Sequence, residues 1–198
     1  KSYCEVFGKG LNGYKYKRNI ILNAGNSGTT ARLLCATLID AKHNIKITGD
    51  KSLRKRDMSR IINPLLKFGV RFKSTNKRLP LFIKGPKLLK PISYNENLGS
   101  AQCKSAVMIA ALKTQGKTKL KCLPSRNHTE IMFKKVLKIP IKIQKLKNYE
   151  LIKIDGLKEF NSFNYNIPGD ISSAAFFIVL TLLSKNSFLT IKKVNINP

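Results

Sequence analysis

Leu98-Gly99-Ser100-Ala101-Gln102-Cys103-Lys104-Ser105-Ala106-Val107-Met108-Ile109-Ala110-Ala111-Leu112 decides how this chain folds. A glycine, a small hydroxyl residue and an amide open the stretch, and an apolar run with almost no polar face follows. A helix that is apolar on all sides belongs inside a protein. Its first four backbone N–H groups have no partner within the helix, and they carry the positive end of the helix dipole. Such an end attracts an anion, typically phosphate. The same residues also suit a core helix that Ser100 caps with nothing bound. From this stretch alone both readings stand.

Outward from it, the sequence repeats. Before it lies a strand at 91–94; after it come a strand at 117–122, a loop at 124–127, an amphipathic helix at 129–137 and strands at 139–143 and 149–154. The same order appears earlier: a strand at 19–22, a loop at 23–28, an apolar helix at 29–39, an alternating strand at 43–48 and a loop at 49–55. An amphipathic helix at 57–68, with Pro64 inside it, and strands at 70–72 and 79–83 complete that copy. A third copy starts with a strand at 165–167, turns at Pro168-Gly169-Asp170, and continues through an apolar helix at 172–183 into a strand at 188–194. The loop glycines Gly25, Gly99 and Gly169 are 74 and 70 residues apart, and Arg56 and Arg126 are 70 apart. A period this long marks a repeated supersecondary unit. Its alternation of strands and helices predicts a layered α/β architecture with three buried helices.

The 198 residues suffice for a sizeable core. No apolar run reaches the roughly 20 residues that a bilayer span needs, so no membrane partner is expected. The net charge of +28 raises nucleic acid as a partner. Against it, only eight of the 38 basic residues are Arg, the residue favoured for two-point recognition of bases and phosphate. The lysines are also spread along the whole chain. Cys4, Cys35, Cys103 and Cys122 form no C-x-x-C pair and lie at no metal-ligand spacing from His43 or His128. They read as reduced thiols of a cytoplasmic protein, with no metal site. There is no G-x-x-x-x-G-K-[ST] or G-x-G-x-x-G motif, which speaks against a nucleoside-triphosphate or dinucleotide enzyme.

Converging helix N-termini with arginines beside them would hold phosphates or carboxylates. Arg56 alone reads equally as a solvated surface residue, but Arg126 occupies the equivalent place in the next copy. Glu130 is either an ion-pair partner of Arg126 or a helix-start acid. His128 is either a general base or a structural turn residue.

These residues fall into five segments that resemble the 5-enolpyruvylshikimate-3-phosphate synthase family. Asn26-Ser27-Gly28-Thr29-Thr30-Ala31-Arg32 is similar to its Asn-Ala/Ser-Gly-Thr-x-x-Arg motif, and 49–58 to its Gly-Asp-x-Ser-Leu-x-x-Arg-Pro-Met segment. Gly99 to Ala106 resembles Gly-Ser-Ala-Gln-x-Lys-Ser-Ala, in the form of the bacterial second class. Ser125 to Glu130 resembles Ser-Arg-Asp-His-Thr-Glu, and Pro168 to Phe177 resembles Pro-Gly-Asp-Ile-Ser-Ser-Ala-Ala-Phe-Phe.

The resemblance implies an α/β (α+β) fold of βαβαββ units in the enolpyruvyl-transferase inside-out α/β barrel, in a two-domain protein. This chain would be a central fragment, with 1–168 forming two units of the first domain and 169–198 starting the second. The implied reaction transfers the enolpyruvyl group of phosphoenolpyruvate to the 5-hydroxyl of shikimate 3-phosphate, without cofactor or metal. Gly28 and Arg56 would bind phosphoenolpyruvate. Ser100, Ala101, Gln102, Ser125 and Arg126 would bind shikimate 3-phosphate. The general base and further basic residues would lie outside this chain, leaving it inactive alone, and the full-length enzyme would be a cytoplasmic monomer.

Two departures stand out. Asp57 replaces a proline and would set a carboxylate beside Arg56, weakening anion binding there. Asn127 replaces an aspartate while keeping the ability to cap. The alternatives are the related transferase acting on UDP-N-acetylglucosamine, which lacks the Ser-Ala-Gln-x-Lys-Ser-Ala and Ser-Arg-x-His-Thr-Glu segments, and a basic nucleic-acid-binding module.

Overall fold

The computed structural model describes residues 3–11 and 13–195; Lys1, Ser2 and Asn12 of the polar lead-in, and the chain end from Ile196, lie outside the described residues. Two copies of one unit dominate it. The first runs β1 (Ile21–Asn23), α1 (Gly28–Thr37), β2 (Ile45–Thr48), α2 (Lys51–Lys55), α3 (Ser59–Lys67), β3 (Arg71–Ser74) and β4 (Leu81–Lys84). The second runs β5 (Ser93–Glu96), α4 (Ala101–Leu112), β6 (Lys117–Cys122), α5 (His128–Ile131, continuing as a π turn over Met132–Val136), β7 (Ile141–Lys145) and β8 (Glu150–Asp155). Each makes a four-stranded sheet of identical order, β1-β2-β4-β3 and β5-β6-β8-β7, with a parallel first pair and antiparallel pairs after it.

One face of each sheet is apolar and covers the helices: Ile45, Ile47, Leu81 and Ile83 in the first, Leu120, Ile152 and Ile154 in the second. The other faces carry the charge. Lys119 lies opposite Lys153, which lies opposite Lys142, so these lysines are solvated surface groups. Helices α1 and α4 pack against each other between the sheets, with Ala31, Cys35, Ala36, Ala106, Val107 and Ala110 buried in one continuous core. Small residues at these positions let the two helices approach closely, and α3 adds Ile61 and Leu65 to the same core.

One glycine in each unit holds the helix to its sheet. Gly85 follows β4, and a Cβ there would lie 2.7 Å from Asp40 C, at the end of α1; its N–H donates to Ala41 O at 2.9 Å. Gly156 follows β8, and a Cβ there would collide with Thr114 O and lie 2.5 Å from Ala111 O, at the end of α4. The pair is 71 residues apart, in step with the repeat.

Four expectations need correction. The 49–55 segment is not all loop: the Asp50 side chain accepts from Leu53 N–H at 2.7 Å and Leu53 is fully buried, so a cap and an apolar anchor together wind α2. The 129–137 helix widens into a π turn, with Ile139 N–H donating to Phe133 O and both side chains buried. In the third copy, 165–167 is not a strand and 188–194 is one only at its end. The pairing there is two residues long, β9 (Gly169–Asp170) against β10 (Val194–Asn195). Pro168 has no N–H for the ladder, and Lys193 has a left-handed φ of 56°. Finally, α6 (Ile171–Leu183) is apolar as expected but not buried. Ala174 is its one buried residue, and Phe176, Leu182 and Leu183 are about four-fifths exposed.

Candidate functional site

The starts of α1 and α4 meet. Ser27 caps α1, accepting from Thr30 N–H at 3.1 Å, and Ser100 caps α4, accepting from Cys103 N–H at 3.3 Å. Each cap follows a glycine with positive φ, Gly25 at 56° and Gly99 at 63°, a conformation that costs glycine nothing. The buried Glu96 carboxylate at the end of β5 accepts from Leu98 N–H (2.9 Å) and Ser100 N–H (3.1 Å), which fixes the second turn.

Gln102 joins the two units. Its amide N–H donates to Thr29 Oγ1 at 3.0 Å, and its carbonyl oxygen accepts from Arg32 Nη1 at 2.6 Å. Arg32 also donates to Asp57 O at 3.3 Å. A Cβ on Gly28 would come within 3.3 Å of Arg56 Nη1 and 3.4 Å of Arg32 Nη1, so two guanidinium groups lie directly over the α1 N-terminus. Arg56 is steered there by Asn26, whose Oδ1 accepts from Arg56 Nη2 at 3.3 Å and whose Nδ2 donates to Asp50 at 2.5 Å. Burial, and then the nearby charges of Arg56 and Arg60, hold Arg32 below the usual arginine value, with Asp57 opposing them. A helix N-terminus crowded by cations that repel one another is complementary to an anion.

The second half of the site lies beyond α4. Ser125 sits on the loop between β6 and α5, its hydroxyl buried without a hydrogen-bond partner among the described residues. Arg126 is exposed, and its guanidinium makes no side-chain hydrogen bond or ion pair among the described residues. Under this loop Lys104, fully buried, donates to Ser125 O at 3.3 Å and pairs with Glu130 at 2.6 Å and Glu150 at 3.5 Å. Glu130 is thus the partner of Lys104, not of Arg126. His128 Nε2 lies 3.0 Å from Asn195 Nδ2.

The structure therefore brings Gly28, Arg56, Ala101 and Gln102 to one place, with Ser100 at the head of α4. Ser125 adjoins them through Lys104, and Arg126 is exposed next to it on the same loop. Sequence reasoning missed Arg32 and Lys104. Arg32 is four residues from Gly28, one helical turn along the same face. Lys104 is four from Ser100, and its signal was a lysine inside an otherwise apolar helix.

Asp57 does not act as expected. Both its oxygens accept from Ser59, from the backbone N–H at 2.9 Å and from the hydroxyl, at the start of α3. These bonds hold its carboxyl below the usual aspartate value. It braces α3, and among the described residues Arg56 makes no ion pair with a carboxylate. A lowered pKa stabilises the fold at pH above the unfolded value, and that contribution fades as pH falls through the folded one. Asp57→Asn should therefore lower the urea midpoint at pH 7, by a difference that shrinks below about pH 4. Asn127 sits at the N-cap of α5 but makes no side-chain cap bond.

Burial pushes the thiols of Cys35, Cys103 and Cys122 up to about 12, so they fill space. Among the described residues no group of three or more His, Cys, Asp or Glu is arranged so that it could hold a metal ion, and no helix is long and apolar enough to cross a membrane.

The family model for EPSP synthase (3-phosphoshikimate 1-carboxyvinyltransferase) matches residues 2–198. The chain is 44% identical over 195 residues to the 3-phosphoshikimate 1-carboxyvinyltransferase of Ruthia magnifica, and 43% identical over 197 residues to that of a Thermoanaerobacter species, covering 98% of this chain in both cases. It spans 43% and 44% of those relatives, less than half their length. Among solved structures it is similar to the EPSP synthase of Acinetobacter baumannii, at 36% identity and a TM-score of 0.79 over 96% of this chain and 42% of that one.

Proposed function

Because this chain belongs to the EPSP synthase family, we propose that it forms part of an enzyme that transfers the enolpyruvyl group of phosphoenolpyruvate to the 5-hydroxyl of shikimate 3-phosphate, releasing phosphate. The observation that carries this reading is the junction of two capped helix starts through Arg32, Gln102 and Thr29. Two anionic reactants must be held side by side, and two N-termini that meet, with the Arg32 and Arg56 guanidinium groups over the first of them, offer adjoining anion sites.

In this reading the Gly28 N–H and the Arg56 guanidinium bind phosphoenolpyruvate, with Arg32 completing the charge. Ser100, the Ala101 N–H, the orphan Ser125 hydroxyl and Arg126 hold the phosphate of shikimate 3-phosphate. Gln102, on the line between the two, faces the ring. Residues 1–168 belong to one domain. The break at Pro168, and the absence of α6 residues from the core that α1 and α4 share among the described residues, support placing 169–198 in a second. The reactants are small molecules, and we read the enzyme as monomeric and cytoplasmic.

The test is phosphate release by the protein expressed from its complete coding sequence. Release is expected with phosphoenolpyruvate plus shikimate 3-phosphate, and none with UDP-N-acetylglucosamine in its place. The reverse pattern, or no release with either by folded protein, would refute the reading.

A further inference from the structure

We propose that Lys104 is a positioning residue that sets the distance between the two halves of the shikimate 3-phosphate site, an inference that rests on the function proposed above. Lys104 is wholly inside the protein, in a helix whose other buried residues include Ala106, Val107, Met108, Ala110 and Ala111. Its ammonium touches three segments: the Ser125 carbonyl on the loop before α5, Glu130 in the first turn of α5 and Glu150 at the start of β8. Next to it, Ser105 Oγ lies 2.6 Å from Thr129 Oγ1. Consecutive residues of α4 thus clasp consecutive residues of α5. Glu150 is in turn registered against Cys122, the last residue of β6. The loop carrying Ser125 and Arg126 is therefore pinned at both ends and in its middle to the helix whose start carries Ser100, Ala101 and Gln102.

The fold does not require this lysine. Counted from the capping serines Ser27 and Ser100, the equivalent position in the first unit is Ala31, also fully buried. The same helix, in the same layer over the same sheet topology, is built there without a charge. Burying one ammonium with two carboxylates carries a desolvation penalty, and replacing such a cluster by apolar residues is often neutral or stabilising. What the cluster adds is geometry. It sets where Ser125 O lies relative to Ser100, and with it the unpartnered Ser125 hydroxyl.

The single change Lys104→Met leaves two buried carboxylates unpaired, so the test uses Lys104→Met/Glu130→Leu/Glu150→Leu in the protein from the complete coding sequence. We expect this variant to melt near the unmodified protein, with KM for shikimate 3-phosphate raised about tenfold or more and KM for phosphoenolpyruvate within about twofold, since small misplacements of binding groups have large effects. Lys104→Arg, which keeps the charge and a donor, should recover part of the loss. A folded triple variant with an unchanged KM for shikimate 3-phosphate overturns the proposal. A second measurement needs no variant: the ¹⁵N resonance of the Lys104 ammonium in the unmodified protein should shift on saturation with shikimate 3-phosphate and not with phosphoenolpyruvate alone. A resonance that stays in place also overturns it. If the unmodified protein turns over neither substrate, the functional reading fails instead.

Discussion

Gly156→Ala should destabilise the protein by about 3 kcal/mol, the upper range for forcing extra volume into a packed site. A methyl group there has nowhere to go. It would collide with Thr114 O and stand 2.5 Å from Ala111 O, both backbone atoms at the C-terminal end of α4. The backbone on either side is also committed: Gly156 N–H donates to Gly116 O at 3.0 Å and Leu157 N–H to Leu112 O at 2.8 Å. Leu112 O, one of the carbonyls that α4 leaves open at its end, is thus met by the strand's exit, and the two backbones cannot separate to make room without breaking these bonds. Gly85→Ala should act similarly on α1, through the backbone of Ile39 and Asp40. Gly8→Ala, with nothing within 4 Å of its Cβ, is the control and should leave the urea midpoint unchanged. Equal midpoints for Gly156→Ala and Gly8→Ala would refute the packing described for the second unit.

Ser100→Ala with Arg126→Ala should weaken binding of shikimate 3-phosphate by about a hundredfold. Each change removes a hydrogen bond to a charged group, worth roughly 1.5–3 kcal/mol, and about 1.4 kcal/mol is a factor of ten. Arg126 is well suited to such a role, being exposed and without a competing side-chain partner among the described residues. Ser100 also caps α4, so part of its effect would be on stability, about 1 kcal/mol; a melting curve separates the two. In the proposed reading affinity for phosphoenolpyruvate should be largely kept, because Gly28 lies at the other helix start and the Arg56 guanidinium lies over it. Calorimetry showing unchanged affinity for shikimate 3-phosphate in a folded double variant would remove both residues from the site.

The repeat was legible because it is written in residues with few substitutes. Gly25 and Gly99 both need positive φ, and Ser27 and Ser100 both cap a helix. The apolar runs of α1 and α4 announced burial, which held along most of α4 and for one face of α1, through Ala31, Cys35 and Ala36, where the two helices pack together. The same pattern misled at α6. Apolarity shows that a helix seeks cover and not that cover is present, and among the described residues α6 leaves Phe176, Leu182 and Leu183 exposed. The short helix α2 was hidden in a segment rich in charge, although Asp50 followed three residues later by Leu53 is a readable cap and anchor.

At the site, the loop arginines and helix starts could be read from spacing, but their connections could not. Arg32 meets Gln102 across 70 residues of chain, and Lys104 meets Glu150 across 46. Pairings at such separation depend on how two units pack, which local pattern does not encode. Asp57 shows the opposite error. Its place beside Arg56 in sequence suggested an ion pair, but the chain turns into α3 there and the carboxylate caps Ser59 instead.

The most direct test of the site is a crystal structure of the protein from the complete coding sequence, soaked with shikimate 3-phosphate. The phosphate should lie at the N-terminus of α4, within hydrogen-bond distance of the Ser100 and Ser125 hydroxyls and the Ala101 N–H, with the ring against Gln102. Density for the ligand elsewhere, with α4 and the Ser125 loop in place and empty, would contradict the account.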